Sequence, residues 1–119
     1  MNEKTYLELA RLIKQRTYDQ RLAWTPSSYS STYQAAIGQG AVTVSLDLSD
    51  QEYDPEFFPP IAYLSFLNSR GETIHTINCY SQDDENFPLI SEIYQLAKDS
   101  YLKTNETIQS MFDELHSPF

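Results

Sequence analysis

His75 and Cys79 are the pair in this sequence with the residue types of a base and its nucleophile. They stand four residues apart in "TIHTINCY", which alternates as a strand does. Residues at that spacing share a face, with backbones roughly 13 Å apart at about 3.3 Å per residue. A thiol and its base need about 3 Å, so the pair cannot form a direct dyad. By residue type the plainer expectation is that Cys79 is a small buried apolar residue and His75 an outward polar one. The other histidine, His116, lies near the C-terminus, in a stretch expected to fray.

Carboxylates offer the second chemistry. Asp47, Asp50, Glu52, Asp54 and Glu56 cluster, as do Asp83, Asp84 and Glu85. Calcium needs several oxygens converging at about 2.4 Å, usually around a glycine that bends the loop. Neither stretch contains glycine and no D-x-D-x-D-G pattern occurs, so both read as solvated acidic loops. Acid–base work on a glycoside needs two carboxylates fixed across a pocket, which such loops do not supply. There is no G-x-G-x-x-G, no Walker loop, no G-x-S-x-G and no C-x-x-C, and the chain has three glycines in all. The expectation is no enzyme, no cofactor and no metal.

The elements around these residues can be read from periodicity. Residues 4–16 form an amphipathic helix on Tyr6, Leu9, Ala10 and Ile13, ending near Thr17. Leu22 to Trp24 make a short strand stopped by Pro26. Residues 31–37 and 41–48 are longer strands. A two-residue Gly38-Gln39 loop pairs Ala35 with Val42 and Tyr33 with Val44, which keeps all four on one face. The acidic "SDQEYDPEFFPP" links them to a second hairpin, residues 61–80, whose turn is Asn68-Ser69-Arg70-Gly71 with Gly71 left-handed.

That turn sets Phe66 opposite Ile74 and Tyr63 opposite Ile77. One face of the hairpin then carries Ala62, Leu64, Phe66, Ile74 and Tyr80, and the other Ile61, Tyr63, Leu67, Ile77 and Cys79. From Pro88 to Leu115 the pattern predicts one long helix with a stripe through Leu89, Ile93, Leu96, Ile108 and Met111, weakened at Thr104 and Asn105.

Composition bounds the rest. A chain of 119 residues with 40% hydrophobic side chains suits one domain, 1–119, around one core. Eight basic against 17 acidic residues give a net charge of −9, which argues against nucleic acid as a partner. Most positive charge lies early, at Lys4, Arg11, Lys14, Arg16 and Arg21, interleaved with acids as on a solvated helix face. No apolar run is long enough for a membrane span, and "MNEKTYLELARL" lacks the apolar centre of a signal peptide. A cytoplasmic protein is expected.

The order helix, four or five antiparallel strands, long helix, with small size and low pI, resembles the secretion-chaperone style of α+β sandwich. Members of that group are small acidic homodimers that hold partner proteins. The chain departs from that layout between its third and fourth strands, where "SDQEYDPEFFPP" stands in place of an inserted helix.

The resulting expectation is an α+β domain: an antiparallel sheet of four to five strands packed on one face by the N-terminal and C-terminal helices. The other face is then a candidate dimer or partner surface, through Ile61, Tyr63, Leu67 and Ile77. Trp24, Phe57 and Phe58 are candidate aromatic anchors, or else they close the core. The expected function is a non-enzymatic protein-binding module whose partner is another protein, possibly basic, or a second copy. The alternative is a small enzyme or ligand-binding domain with a sheet pocket.

Overall fold

The computed structural model describes residues 2–29, 31–47, 60–80 and 84–117. The elements run α1 (Glu3–Tyr18), β1 (Thr25–Pro26), β2 (Thr32–Ile37), β3 (Gly40–Asp47), β4 (Ile61–Leu67), β5 (Thr73–Tyr80), α2 (Phe87–Leu102) and α3 (Thr104–His116). The five strands form one antiparallel sheet in sequence order. This is the expected α+β arrangement, with the short strand at Thr25–Pro26 rather than at 22–24.

α1 begins on Asn2, whose side-chain oxygen accepts from the Thr5 amide at 3.1 Å. It ends in a Schellman turn. The Arg21 amide donates to the Arg16 carbonyl, the Gln20 amide to the Thr17 carbonyl, and Gln20 takes the left-handed conformation at φ 61°. Lys14 pairs with Glu92 across α1 and α2. Ala10, Ile13 and Thr17 are the residues α1 buries.

The β2–β3 hairpin has the expected register, Ala35 on Val42 and Tyr33 on Val44, about a Gly38-Gln39 turn with Gly38 at φ 57°. β4–β5 differs. Its turn is the expected one, with Gly71 at φ 81° and Leu67 opposite Thr73. One residue further on, a bulge leaves Ile74 without a partner and sets Phe66 opposite His75. An extra residue in one strand turns every later side chain to the other face. Ile77 and Cys79 therefore face inward with Ala62 and Leu64, while Tyr80 faces outward, half exposed.

The core is one layer between the helices and one sheet face. It contains Ala35, Val42, Val44, Ala62, Leu64, Phe66, Ile77 and Cys79 from the sheet, with Ala10 and Ile13 from α1 and Ile90, Ile93, Tyr94 and Ala97 from α2. Trp24 closes it, and its Nε1 donates to Thr17 Oγ1 at 3.0 Å. That hydroxyl in turn donates to the Ile13 carbonyl at 2.7 Å, which satisfies the one buried polar side chain among the described residues.

The expected single C-terminal helix is two helices. Lys103 breaks it in the left-handed region (φ 53°, ψ 44°). α3 buries none of its residues, so Ile108 and Met111 lie outside the core that the continuous stripe predicted. The radius of gyration is 16.3 Å and the longest extent 57 Å, against about 13.5 Å for the radius of a compact chain of this length.

Candidate functional site

The residues with chemical potential resolve into packing. Cys79 is fully buried. Its thiol is pushed up to about 12, first by burial, then by the charge and hydrogen bond of the Asp84 carboxylate, then by Glu3. A thiol held protonated is a poor nucleophile. His75, expected to point outward, lies on the helix side of β5 and is half-buried. Its ring stacks on Tyr6 with centroids 3.9 Å apart, and Nε2 sits 3.0 Å from Oε2 of Glu3. The Glu3 carboxylate can only accept, so this contact and the stacking fasten the start of α1 to the sheet edge.

Of the acidic clusters, Asp47, Asp84 and Glu85 fall among the described residues. The Asp84 carboxylate accepts from the Asn86 amide at 2.8 Å, beside the start of α2. No group of three or more metal-ligating side chains comes together among the described residues. Asp50, Glu52, Asp54, Glu56 and Asp83 lie outside them, as do the aromatic candidates Phe57 and Phe58.

The expected interface residues separate. Ile77 and Trp24, each 3% exposed, belong to the core and cannot present a surface. Ile61 and Tyr63 stand half-buried on the outer sheet face among Thr43, Ser45, Ser65, Thr76 and Asn78. The Ser65 and Thr76 hydroxyls pair there at 3.0 Å. Burial, then the charges of Asp47 and Tyr80, raise the Tyr63 hydroxyl above its usual range. The face is more polar than expected because the bulge removes Ile77 and Cys79 from it.

Among the described residues, exposed apolar side chains gather in two other places. The first is α3. Ile108, Met111, Phe112 and Leu115 recur at i, i+3, i+4 and i+7, so they form one stripe. Their exposures are 47%, 54%, 53% and 81%. The opposite face carries Glu106, Ser110 and Asp113. The second is a groove of about 470 Å³ between α1 and the hairpin-tip end of the sheet. It is lined by Leu9 and Ile13 of α1, by Val42 and Phe66 of the inner sheet face, and by Ile37, Leu67 and Ile74 at the strand ends near the hairpin tips. The bulge at Ile74 contributes to it, since the unpaired residue is 59% exposed there.

A second hollow, about 320 Å³, lies at the α2–α3 joint and is lined by Thr17, Tyr18, Asp99, Lys103 and Glu106. Its Asp99 carboxylate accepts from Gln95 at 3.0 Å and Thr104 at 3.4 Å, which fixes the joint.

Periodicity places Ile108 and Met111 on a stripe but assigns them to the core, and it leaves Phe112 out. The groove left no signal in the sequence, because it depends on the bulge at Ile74. Among the described residues no helix is long and apolar enough to cross a membrane. Comparison with protein-family models, curated proteins and solved structures gives no match.

Proposed function

We propose that the chain is a non-enzymatic protein-binding module of the cytoplasm, and that α3 is its contact element. The observation that carries this is the stripe of Ile108, Met111, Phe112 and Leu115, exposed on a helix that buries nothing of its own. A helix of 13 residues is marginal in water without tertiary packing. Its stability therefore comes from whatever covers the stripe. The i, i+3, i+4, i+7 anchors are those by which amphipathic helices enter apolar grooves, and Met and Phe are enriched at interfaces.

The charge of the chain fits a basic protein surface as the partner, not nucleic acid. A photo-reactive benzoylphenylalanine in place of Phe112, activated in the native cell, should capture a protein. The same group in place of Ser110, on the opposite face, should not. Absence of any protein captured from position 112 would remove the reading.

A further inference from the structure

α3 repeats the buried face of α2. Ile108, Met111, Phe112 and Leu115 follow Ile90, Ile93, Tyr94 and Ala97 one for one, each 18 residues later. At about 3.6 residues per turn that interval is five whole turns, so in one continuous helix the two sets would lie on one line. Tyr101 and Thr104 fall on the same line between them. The chain is bent instead at Lys103. We propose that Lys103 is a hinge, and that α2 and α3 pass between the bent form and a single straight helix in which the stripe prolongs the core-facing side of α2. This goes beyond the binding-module reading, since it concerns the direction in which α3 points and not what α3 meets.

No helix breaker stands at the bend. From Lys98 to Glu106 the chain reads KDSYLKTNE, without glycine or proline. Lys103 takes φ 53° and ψ 44°, a region in which Cβ crowds the following carbonyl oxygen. The helical ladder stops with the Lys103 amide, which donates to the Asp99 and Ser100 carbonyls. It resumes with the Thr107 amide, which donates to the Lys103 carbonyl. A straight helix would relieve the left-handed residue and offer the amides of Thr104, Asn105 and Glu106 the carbonyls of Ser100, Tyr101 and Leu102.

Packing does not hold the bend either. A left-handed side-chain-bearing residue persists where its surroundings over-determine it. Gln20, at the end of α1, is fixed in this way: the chain beyond it carries Trp24 into the core, where its indole bonds back to Thr17. Beyond Lys103, no residue of α3 is buried. No side chain caps the first amides of α3, and the bond from Thr104 Oγ1 to Asp99 Oδ1 across the joint is long, at 3.4 Å. The hollow between the joint and Thr17, Tyr18 and Gln20 gives the joint room to move. The part of α2 in the core ends at Ala97, so straightening leaves the core intact.

The test places nitroxides on the full chain through Ser91→Cys and Ser110→Cys, one on each arm. Cys79 is buried, and mass spectrometry should count two labels. The labelled chain is diluted in excess unlabelled chain, and the distance within one chain is read by double electron–electron resonance. In the straight form the two positions stand about 28 Å apart at 1.5 Å per residue, and the bend brings them closer. The chain with its natural Lys103 should give both distances. Lys103→Gly, which makes the left-handed conformation free of strain, should move the ratio at least about tenfold towards the short distance. Lys103→Ile, whose β-branch is poorly tolerated at positive φ, should move it at least about tenfold towards the long one, with a gain of helical circular dichroism.

One distance, short or long, common to Lys103→Gly and Lys103→Ile would overturn the hinge. So would a distribution without a defined distance, since α3 would then not hold as a helix. An unmoved distance together with photo-capture from position 112 leaves the binding-module reading standing. A ratio that follows residue 103, with no protein captured, leaves the hinge standing without that reading.

Discussion

Cys79 reports on the bulge. With the register continued unbroken from the Asn68–Gly71 turn, its side chain would point to the outer sheet face. With Ile74 looped out, it points into the core and is fully buried. The perturbation is a thiol reagent such as iodoacetamide at pH 8. Raising the thiol from its ordinary 9.0 to about 12 cuts the thiolate fraction at that pH from about 0.1 to about 10⁻⁴, and the thiolate is the reacting form. Ionisation alone therefore slows alkylation about 1,000-fold. Burial slows it further, until reaction occurs only through opening of the fold.

The assay is mass-spectrometric counting of adducts over time, with the guanidinium-unfolded chain as the reference rate. Asp84→Asn removes the negative charge beside the thiol and should recover part of the lost rate. The same shift has a stability consequence. Between pH 9 and 12 the unfolded thiol loses its proton while the folded one keeps it, so the folded state binds more protons. Stability is then fully present below pH 9 and falls as pH rises through that window. Alkylation of the native protein within tenfold of the unfolded rate would refute the inward register, and with it the polar outer face and the origin of the groove.

Three other substitutions follow from single contacts. A Cβ at Gly40 would press on the Leu67 carbonyl oxygen of the neighbouring strand. Gly40→Ala should therefore cost about 1–3 kcal/mol, seen as a lower urea midpoint at unchanged slope. Gln20→Gly relieves a non-glycine left-handed residue in the Schellman turn and should stabilise by up to about 1 kcal/mol, read as a higher Tm. Trp24→Phe removes the donor to Thr17 Oγ1 while leaving that hydroxyl its bond to Ile13. It should cost about 1–2 kcal/mol in chemical denaturation, and no loss would mean the Trp24 bond is idle.

The parts of the fold that could be read in advance are those fixed by local stereochemistry. In the β2–β3 hairpin, a glycine in a two-residue loop settles the register, and alternation confirms it. The β4–β5 turn was equally readable, through Gly71. Its bulge was not, because no residue type near Ile74 signals an extra position, and both strand faces carry apolar side chains that fit either register. The break at Lys103 is only partly legible: Thr104 and Asn105 weaken the stripe and could cap a second helix, yet the stripe favours one. It has no glycine or proline, and lysine ordinarily favours a continuing helix.

The α3 stripe shows a different limit. Apolar spacing says which side of a helix needs covering, not what covers it. Ile90, Ile93 and Ala97 meet the sheet, while Ile108, Met111 and Leu115 continue much the same pattern beyond the end of the body. Ile61 and Tyr63 are placed on the outer face by alternation alone, whereas Ile77 is turned inward by the bulge and Trp24 by tertiary packing.

The most direct measurement is the solution mass by light scattering, across a wide concentration range, of the natural chain and of Phe112→Asp. A stripe covered by a second copy predicts a natural chain near twice 13.8 kDa. It predicts a variant at the single-chain mass whose far-ultraviolet circular dichroism loses no more than the helicity of α3, since Phe112 contacts only His116 of its own helix. A natural chain that stays at 13.8 kDa throughout, or a variant that associates as the natural chain does, would contradict coverage of the stripe by a second copy.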